Sequence, residues 1–459
     1  MAEKDLKFYL ITDLHHWAKA QGTEGKGYER VYKAEHRCLA ETGAIINSAI
    51  DRIIADKEVG IVLVAGDITA DGAREAHDEI IPMLRRLKDA GKRVFAITAT
   101  HDYHDKPLKC EGDNVGIATR TRRKELYSLY NEFGRNEAIS ENKKSHSYSV
   151  MLDEKTRLLC MNDDGTGGGS DFCGYFDDCV EWIKGQLEEA KKNNEYVIVM
   201  THHPALPPSP IYPVFSKRDM LGNCDEITTL FADNGVKYIF TGHTHMTNIA
   251  QKTTEKGNTI YDVNTGALVA YPCPYRKVEF TENEVKIQTL TVDDFDWDFK
   301  GKTAGEYVKD HFNGFMNDVF YAVANDIDLA AELGQAASLK KEFFYKYKKP
   351  ILFFGKRLNS RTLGSLGKRL GVGRKIDESV KDITVKDFLL ELVDNVFYGD
   401  EPYTPNTPMY KSVSAIIDRI SALTKPIPKT KKIREILSVV KYGVLYDAPP
   451  ADWNVILPR

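Results

Sequence analysis

The sequence predicts an α/β fold joined to a helical domain, and three observations carry that prediction. Up to about residue 298 short apolar runs alternate with helical patterns. Nearly every apolar run ends in a polar or ionisable cluster. Beyond about residue 300 the strand signal fades and longer amphipathic stripes replace it. The division expected is an α/β domain over 1–298 and a helical domain over 299–459.

The runs Phe8–Ile11, Ile61–Val64, Val94–Ile97, Leu158–Met161, Val197–Met200 and Tyr238–Phe240 have the length and continuity of buried strands. After them come Asp13-Leu14-His15, Gly66-Asp67, His101-Asp102, His202-His203 and Gly242-His243-Thr244-His245. Ligands of α/β sheets gather outside the carboxyl ends of strands, so this repeated placement points to one shared site. In the second region Phe388, Leu389, Leu392, Val393, Val396 and Phe397 form one stripe, and Val413, Ile416, Ile417, Ile420 and Leu423 another. Pro402, Pro405, Pro408, Pro426 and Pro428 punctuate these later helices.

Composition narrows the classes. The chain has 459 residues, 63 Lys+Arg against 67 Asp+Glu, a formal charge of −4 and 42% hydrophobic residues, which excludes a disordered or collagen-like chain. Its seven cysteines lack a C-x-x-C pair, so neither a zinc ribbon nor a redox motif is indicated. The N-terminus lacks the apolar h-region of a secretory signal and no stretch approaches 18 apolar residues. A reducing, cytoplasmic setting with no membrane partner is the expectation.

Singly, a D-x-H or a His-His is also what a strand-end turn or a buried core histidine looks like. Together, Asp13, His15, Asp67, His202, His243 and His245 offer the oxygen and nitrogen donors that divalent Mn, Fe or Zn prefer over Ca or Mg. On an extended segment residues i and i+2 point to one side, so D-x-H and H-x-H should each present two ligands together. A carboxylate has two oxygens, and Asp67 could span two ions. By the same reasoning His16 and His203 face away from the site.

The ordered set Asp13-x-His15, Gly66-Asp67, His101-Asp102, His202-His203 and Gly242-His243-x-His245 resembles the calcineurin-like metallophosphoesterases over roughly residues 6 to 290. Gly66-Asp67-Ile68-Thr69, the segment Phe133 to Ser140 and the helical tail are similar to bacterial cyclic-nucleotide phosphodiesterases with a C-terminal helical domain. The resemblance implies a four-layered α/β sandwich and hydrolysis of a small-molecule phosphodiester, with a metal-held hydroxide attacking phosphorus in line. It also implies two divalent transition metals. Asp13, His15 and His245 would hold one, His202 and His243 the other, and Asp67 would bridge. His101 would contact the scissile phosphate, with Asp102 orienting its ring.

One position departs from that pattern. The family reads Gly-Asn-His-Asp or Glu where this chain reads Ala99-Thr100-His101-Asp102, so Thr100 replaces an amide ligand and the second site is expected to be weakened. The alternatives are a phosphomonoesterase or nuclease on the same core, or a binding module without the second metal. His104 could line the pocket mouth, and Tyr271, in a segment that is similar to a Tyr-Pro segment of relatives, could stack on a base. Gly165 to Gly169 lacks the G-K-[ST] of a phosphate loop and suits a loop over the site. Residues 340 to 375 carry twelve Lys/Arg and one acid, Glu342. Packing and charge balance against the acidic remainder is the favoured explanation of that segment, and binding of nucleic acid or another polyanion the rival.

Overall fold

The structure is a computed structural model describing residues 5–164, 173–210, 212–215, 217–336, 341–399, 402–427, 430–446 and 452–459. The glycine-rich stretch 165–169 lies outside the described residues. In chain order the strands are β1 (Leu6–Ile11), β2 (Ile61–Ala65), β3 (Arg93–Ile97), the hairpin β4 (Leu108–Glu111) and β5 (Asn114–Ile117), β6 (Ser140–Asn142), β7 (Ser147–Met151), β8 (Thr156–Cys160), β9 (Tyr196–Met200), β10 (Tyr238–Thr241), β11 (Asn248–Thr253), β12 (Thr259–Asn264), β13 (Pro274–Phe280), β14 (Glu284–Thr291) and β15 (Asn454–Pro458).

They form two large sheets. One has six strands in the order β15-β14-β13-β1-β2-β3, the other seven in the order β11-β12-β10-β9-β8-β7-β6. The parallel strands are β1, β2 and β3, which run to the edge of the first sheet, and β8, β9, β10 and β12, which lie centrally in the second. The sheets meet face to face through Phe8, Leu10, Leu63, Phe95, Leu158, Ile198, Phe240 and Phe280, all fully buried. Helices Thr42–Ala55 and Arg74–Asp89 cover the outer face of the first sheet, and Asp177–Asn193 and Cys224–Asp233 that of the second. The result is the four-layered α/β sandwich, because each sheet has two apolar faces to bury.

All six apolar runs fall in strands of this sandwich, Met161 alone lying one residue beyond β8. The remaining region is helical from Ala304, and four of its helices start on a threonine whose hydroxyl accepts an N–H from the first turn: Thr303, Thr362, Thr384 and Thr407. Phe388, Leu392, Val413, Ile416 and Ile417 are buried together as their spacing requires, whereas Leu423 at the stripe's end is exposed. The expectation of helix throughout 299–459 needs one correction. Asn454–Pro458 is a strand that pairs antiparallel with β14 and extends the first sheet.

Candidate metal centre and its surroundings

Three loops at the carboxyl ends of β1, β2 and β10 are bound to one another before any side chain is considered. Asp13 N–H donates to Gly66 O at 3.1 Å, His15 N–H to Asp67 O at 3.0 Å, and His243 N–H to the Asp13 carboxylate at 2.9 Å. The backbone there is not extended: Asp13, His15, Asp67, His243 and His245 all have positive φ, between 37° and 70°. Asp and His tolerate this region better than most side chains, and such strain concentrates at functional sites. The i and i+2 argument from an extended segment is therefore corrected. Asp13 and His15 do share a cluster, but His243 and His245 belong to different ones.

The clusters are Asp13 with His15 and His245, and Asp67 with His202 and His243. In the first, Asp13 Oδ1 lies 3.5 Å from His15 Nε2 and 3.3 Å from His245 Nε2, and the two imidazole nitrogens are 2.9 Å apart. In the second, Asp67 Oδ2 lies 3.0 Å from His202 Nε2, and 3.9 Å from His15 Nε2 across the divide. Asp67 Oδ1 accepts the His101 N–H at 3.0 Å, so one oxygen, Oδ2, faces both clusters, rather than one oxygen for each. Asp13 likewise has one oxygen engaged, Oδ2, which also accepts from Thr12 Oγ1.

These residues fit a pair of cations. Asp13 Oδ1 and His243 Nδ1 are buried without any hydrogen-bond partner, and buried polar atoms rarely stay so. His202 Nδ1–H donates to Ala65 O at 2.8 Å, which turns Nε2 to the cluster. Burial, then the Arg37 guanidinium 2.9 Å from Nδ1, holds His15 well below its ordinary pKa and so keeps the ring uncharged. His243 is held low by burial and by His203 and His202. Burial opposes protonation of His202 too, but Asp67 and Asp13 outweigh it and raise its pKa to about 9. Gly66 permits the crowding: at φ 93° a Cβ there would meet His202 Nδ1 at 2.8 Å and the Ala99 methyl at 3.0 Å.

His101 lies beside the first cluster, its ring 4.9 Å from that of His15, and its Nδ1–H donates to Ala70 O at 2.7 Å. The expectation that Asp102 orients this ring is corrected. The Asp102 carboxylate accepts Thr69 N–H at 2.8 Å and Ala99 N–H at 2.8 Å, joining two loops, while the Ala70 carbonyl fixes His101. Burial, then the Asp67 charge, raises Asp102 to about 7. Thr100 opens the turn Thr100–Tyr103 and is half-buried between Ala99 and His101. His104 is exposed, its ring nearly parallel to that of His101 at 6.3 Å.

Of the two neighbouring histidines His16 turns away from the clusters, but the expectation that His203 does so is corrected: its ring lies 4.0 Å from that of His243. His16 Nε2 pairs with Glu79 at 3.1 Å, and His203 Nδ1 with Asp163 at 2.8 Å. Tyr271 does not present a free ring for a base: it packs 5.4 Å from Phe312, with Lys309 Nζ 5.6 Å from its centroid.

Sequence reasoning missed three residues of this neighbourhood. His36 Nε2 lies 2.7 Å from His245 Nδ1, and Arg37 touches His15. Both come from the loop before helix Thr42–Ala55, where no motif marks them. Asp163 accepts from Thr201 Oγ1, His202 N–H and His203 N–H, and so sets the β9 end. It stands in the polar cluster Asn162-Asp163-Asp164 after β8, the signal already used at the other strand ends.

Three solved structures illustrate how far the resemblance reaches. A dimetal phosphatase from Danio rerio aligns over 63% of this chain and 97% of its own, at 15% identity and a TM-score of 0.47. The purple acid phosphatase PPD1 of yellow lupin (Lupinus luteus) seeds aligns over 63% and 52%, at 14% identity and 0.41. A putative 5'-nucleotidase from Staphylococcus aureus aligns over 87% and 73%, at 11% identity and 0.39. No curated protein sequence matches the chain. The family model for calcineurin-like phosphoesterases matches residues 6–247, more than half of the chain and every residue of both clusters. Since that span runs from β1 to just past His245, the chain is a member of the calcineurin-like phosphoesterase family, hydrolases that use two divalent metals.

Proposed function

We propose that this hydrolase acts on phosphodiesters, with cyclic nucleotides as the favoured substrates. The observation that carries the diester reading is the charge around the clusters. Arg37, the guanidinium in contact with the His15 ring, is already paired with Glu35 through Nε at 2.8 Å and Nη2 at 2.7 Å. With its charge matched by Glu35, that guanidinium offers less to the second negative charge of a monoester. A reducing, cytoplasmic setting is part of the proposal, supported by seven cysteines that are all free thiols.

Asp13, His15 and His245 would hold one ion in this reading and His202 and His243 the other, with Asp67 serving both. Mn, Fe and Zn suit these donors. When bound, such ions supply Lewis acidity and a water acidic enough to be the nucleophile. Thr100 stands where an amide oxygen would complete the second set, leaving that site three protein ligands. His101 contributes the ring atom opposite its Ala70 bond: Nε2 meets the scissile phosphate, and it can serve the leaving oxygen as an acid only in the fraction of molecules whose ring is charged. Burial lowers its pKa while the Asp67 charge opposes that. The Asp102 carboxylate holds the loop that carries it.

The weakened second set favours one other reading, a binding module that keeps a single metal. Stripped protein reloaded with Mn, Fe or Zn and offered cyclic nucleotides, linear diesters and monoesters decides. Turnover of cyclic nucleotides above the others is expected. Preference for monoesters rejects the diester reading, and one bound ion with no turnover selects the binding module.

A further inference from the structure

The basic segment does not do what charge balance requires. The ion pairs of the helical region lie outside it, Lys309–Asp394, Lys381–Glu378, Lys431–Glu435 and Lys441–Asp418, and among the described residues none of the lysines and arginines from 341 to 375 joins an acid. Nor are its aromatic residues core. Phe344 is buried, but Phe343, Tyr345, Tyr347, Phe353 and Phe354 are 45, 51, 42, 50 and 62% exposed.

Helix Lys348–Ser360 shows why this is a face and not a scatter. Ile351 packs on the cluster around Ala330 and Phe344, Gly355 is buried, and Asn359 Nδ2 donates to Phe320 O, which fixes the inner side. Lys349, Phe353, Lys356 and Arg357 recur at i, i+4, i+7 and i+8 on the opposite side, where a solvated helix would carry polar residues alone. The preceding helix, Lys341–Lys346, adds Phe343 and Tyr345 to the exposed set.

We infer that this face docks on an anionic lipid surface, its aromatic rings entering the headgroup layer and its lysines and arginines meeting the lipid charges. Basic and aromatic side chains sharing one helix are the composition of interfacial helices. Single-stranded nucleic acid also uses bases and rings, but it needs open ring faces in a groove. Here Arg357 sits 3.3 Å above the Phe353 centroid, and Phe353 and Phe354 stand at 89° to each other. No helix among the described residues is long and apolar enough to cross a bilayer, but this one can lie on it.

The full chain should be sedimented with phosphatidylcholine vesicles, with and without about one-third phosphatidylglycerol, alongside a single-stranded RNA and a sizing column. Binding at least tenfold stronger to the anionic vesicles is expected, weakening with salt. It should fall by about tenfold in Phe353→Ser/Phe354→Ser and again in Lys349→Glu/Lys356→Glu, with unfolding midpoints unchanged because these side chains are exposed. Equal binding to neutral vesicles, retention by the serine variant, preference for the RNA, or a wild-type dimer that the serine variant splits would each overturn the inference.

Discussion

His202 is the residue on which the two clusters turn. Its pKa, raised to about 9 by Asp67 and Asp13, means that at pH 7 it holds a proton in the metal-free protein. An arriving ion must displace that proton. Metal affinity is therefore expected to rise with pH through the neutral range and to level off above about 9, with a proton released on binding. Calorimetry in buffers of different ionisation enthalpy measures the release, and its absence at pH 7 refutes the assignment. His101 is the contrasting case, adjacent to the clusters but held by Ala70 O. Replacing it by alanine should lower diester turnover about a hundredfold and leave metal content intact. Loss of metal in that variant would make it a ligand. His36 supports His245 from behind. Burial and its basic neighbours keep it neutral, so its Nε2 can accept the His245 Nδ1–H. The His36→Ala variant should weaken the site holding His245 by about ten- to a hundredfold, read by competition with a chelator.

At the level of elements, the last strand shows how a distant segment closes the sandwich. Arg276 on β13 is completely buried and donates to Asn264 O, Thr289 Oγ1 and Asp452 O, while the Asp452 carboxylate accepts Asn248 Nδ2–H and Ile249 N–H. Replacing Arg276 by methionine keeps much of the volume and strands these acceptors. Unfolding in urea should show a loss of about 3 kcal/mol or more. Nothing in the sequence announces that network, because an arginine in a strand reads as exposed until its partners are known. Six of the seven parallel strands were legible since both faces are buried and their runs are continuous, whereas Asp262 and Asn264 interrupt the apolar run of β12. Strand β14 alternates buried and exposed residues from Glu284 to Leu290 and β15 is five residues long, so their signals are weaker. The site was legible for a related reason. Most residues of the two clusters stand at strand ends in local motifs, whereas His36 and Arg37 reach the same place from a loop with no period. Asp102 could be picked out but not assigned, since its partners are backbone N–H groups of other loops.

Across the whole molecule, the helical region bears on the metal loop at two points. His36, which supports His245, packs 5.8 Å from Phe315 and from Phe397 and 6.4 Å from Phe312. Helix Val385–Tyr398 ends at Gly399, φ 84°, against the residue two beyond His245: a Cβ there would meet Thr247 O at 2.4 Å, and Thr247 N–H donates to Phe397 O. A side chain at Gly399 must therefore move either the helix end or the loop that carries His245. Gly399→Ala is expected to lower affinity at the Asp13–His15–His245 site about tenfold and to leave the Asp67–His202–His243 site nearly unchanged. Alanine at positive φ also costs about 1 kcal/mol of stability wherever it is placed. Gly301→Ala separates the two effects, since Gly301 has φ 81° and no atom within 4 Å of its added Cβ. Both variants should lose similar stability in thermal unfolding, yet only the first should lose metal in a titration carried out well below the transition. Equal metal affinities in the two variants would mean that the helical region rests on the site without shaping it.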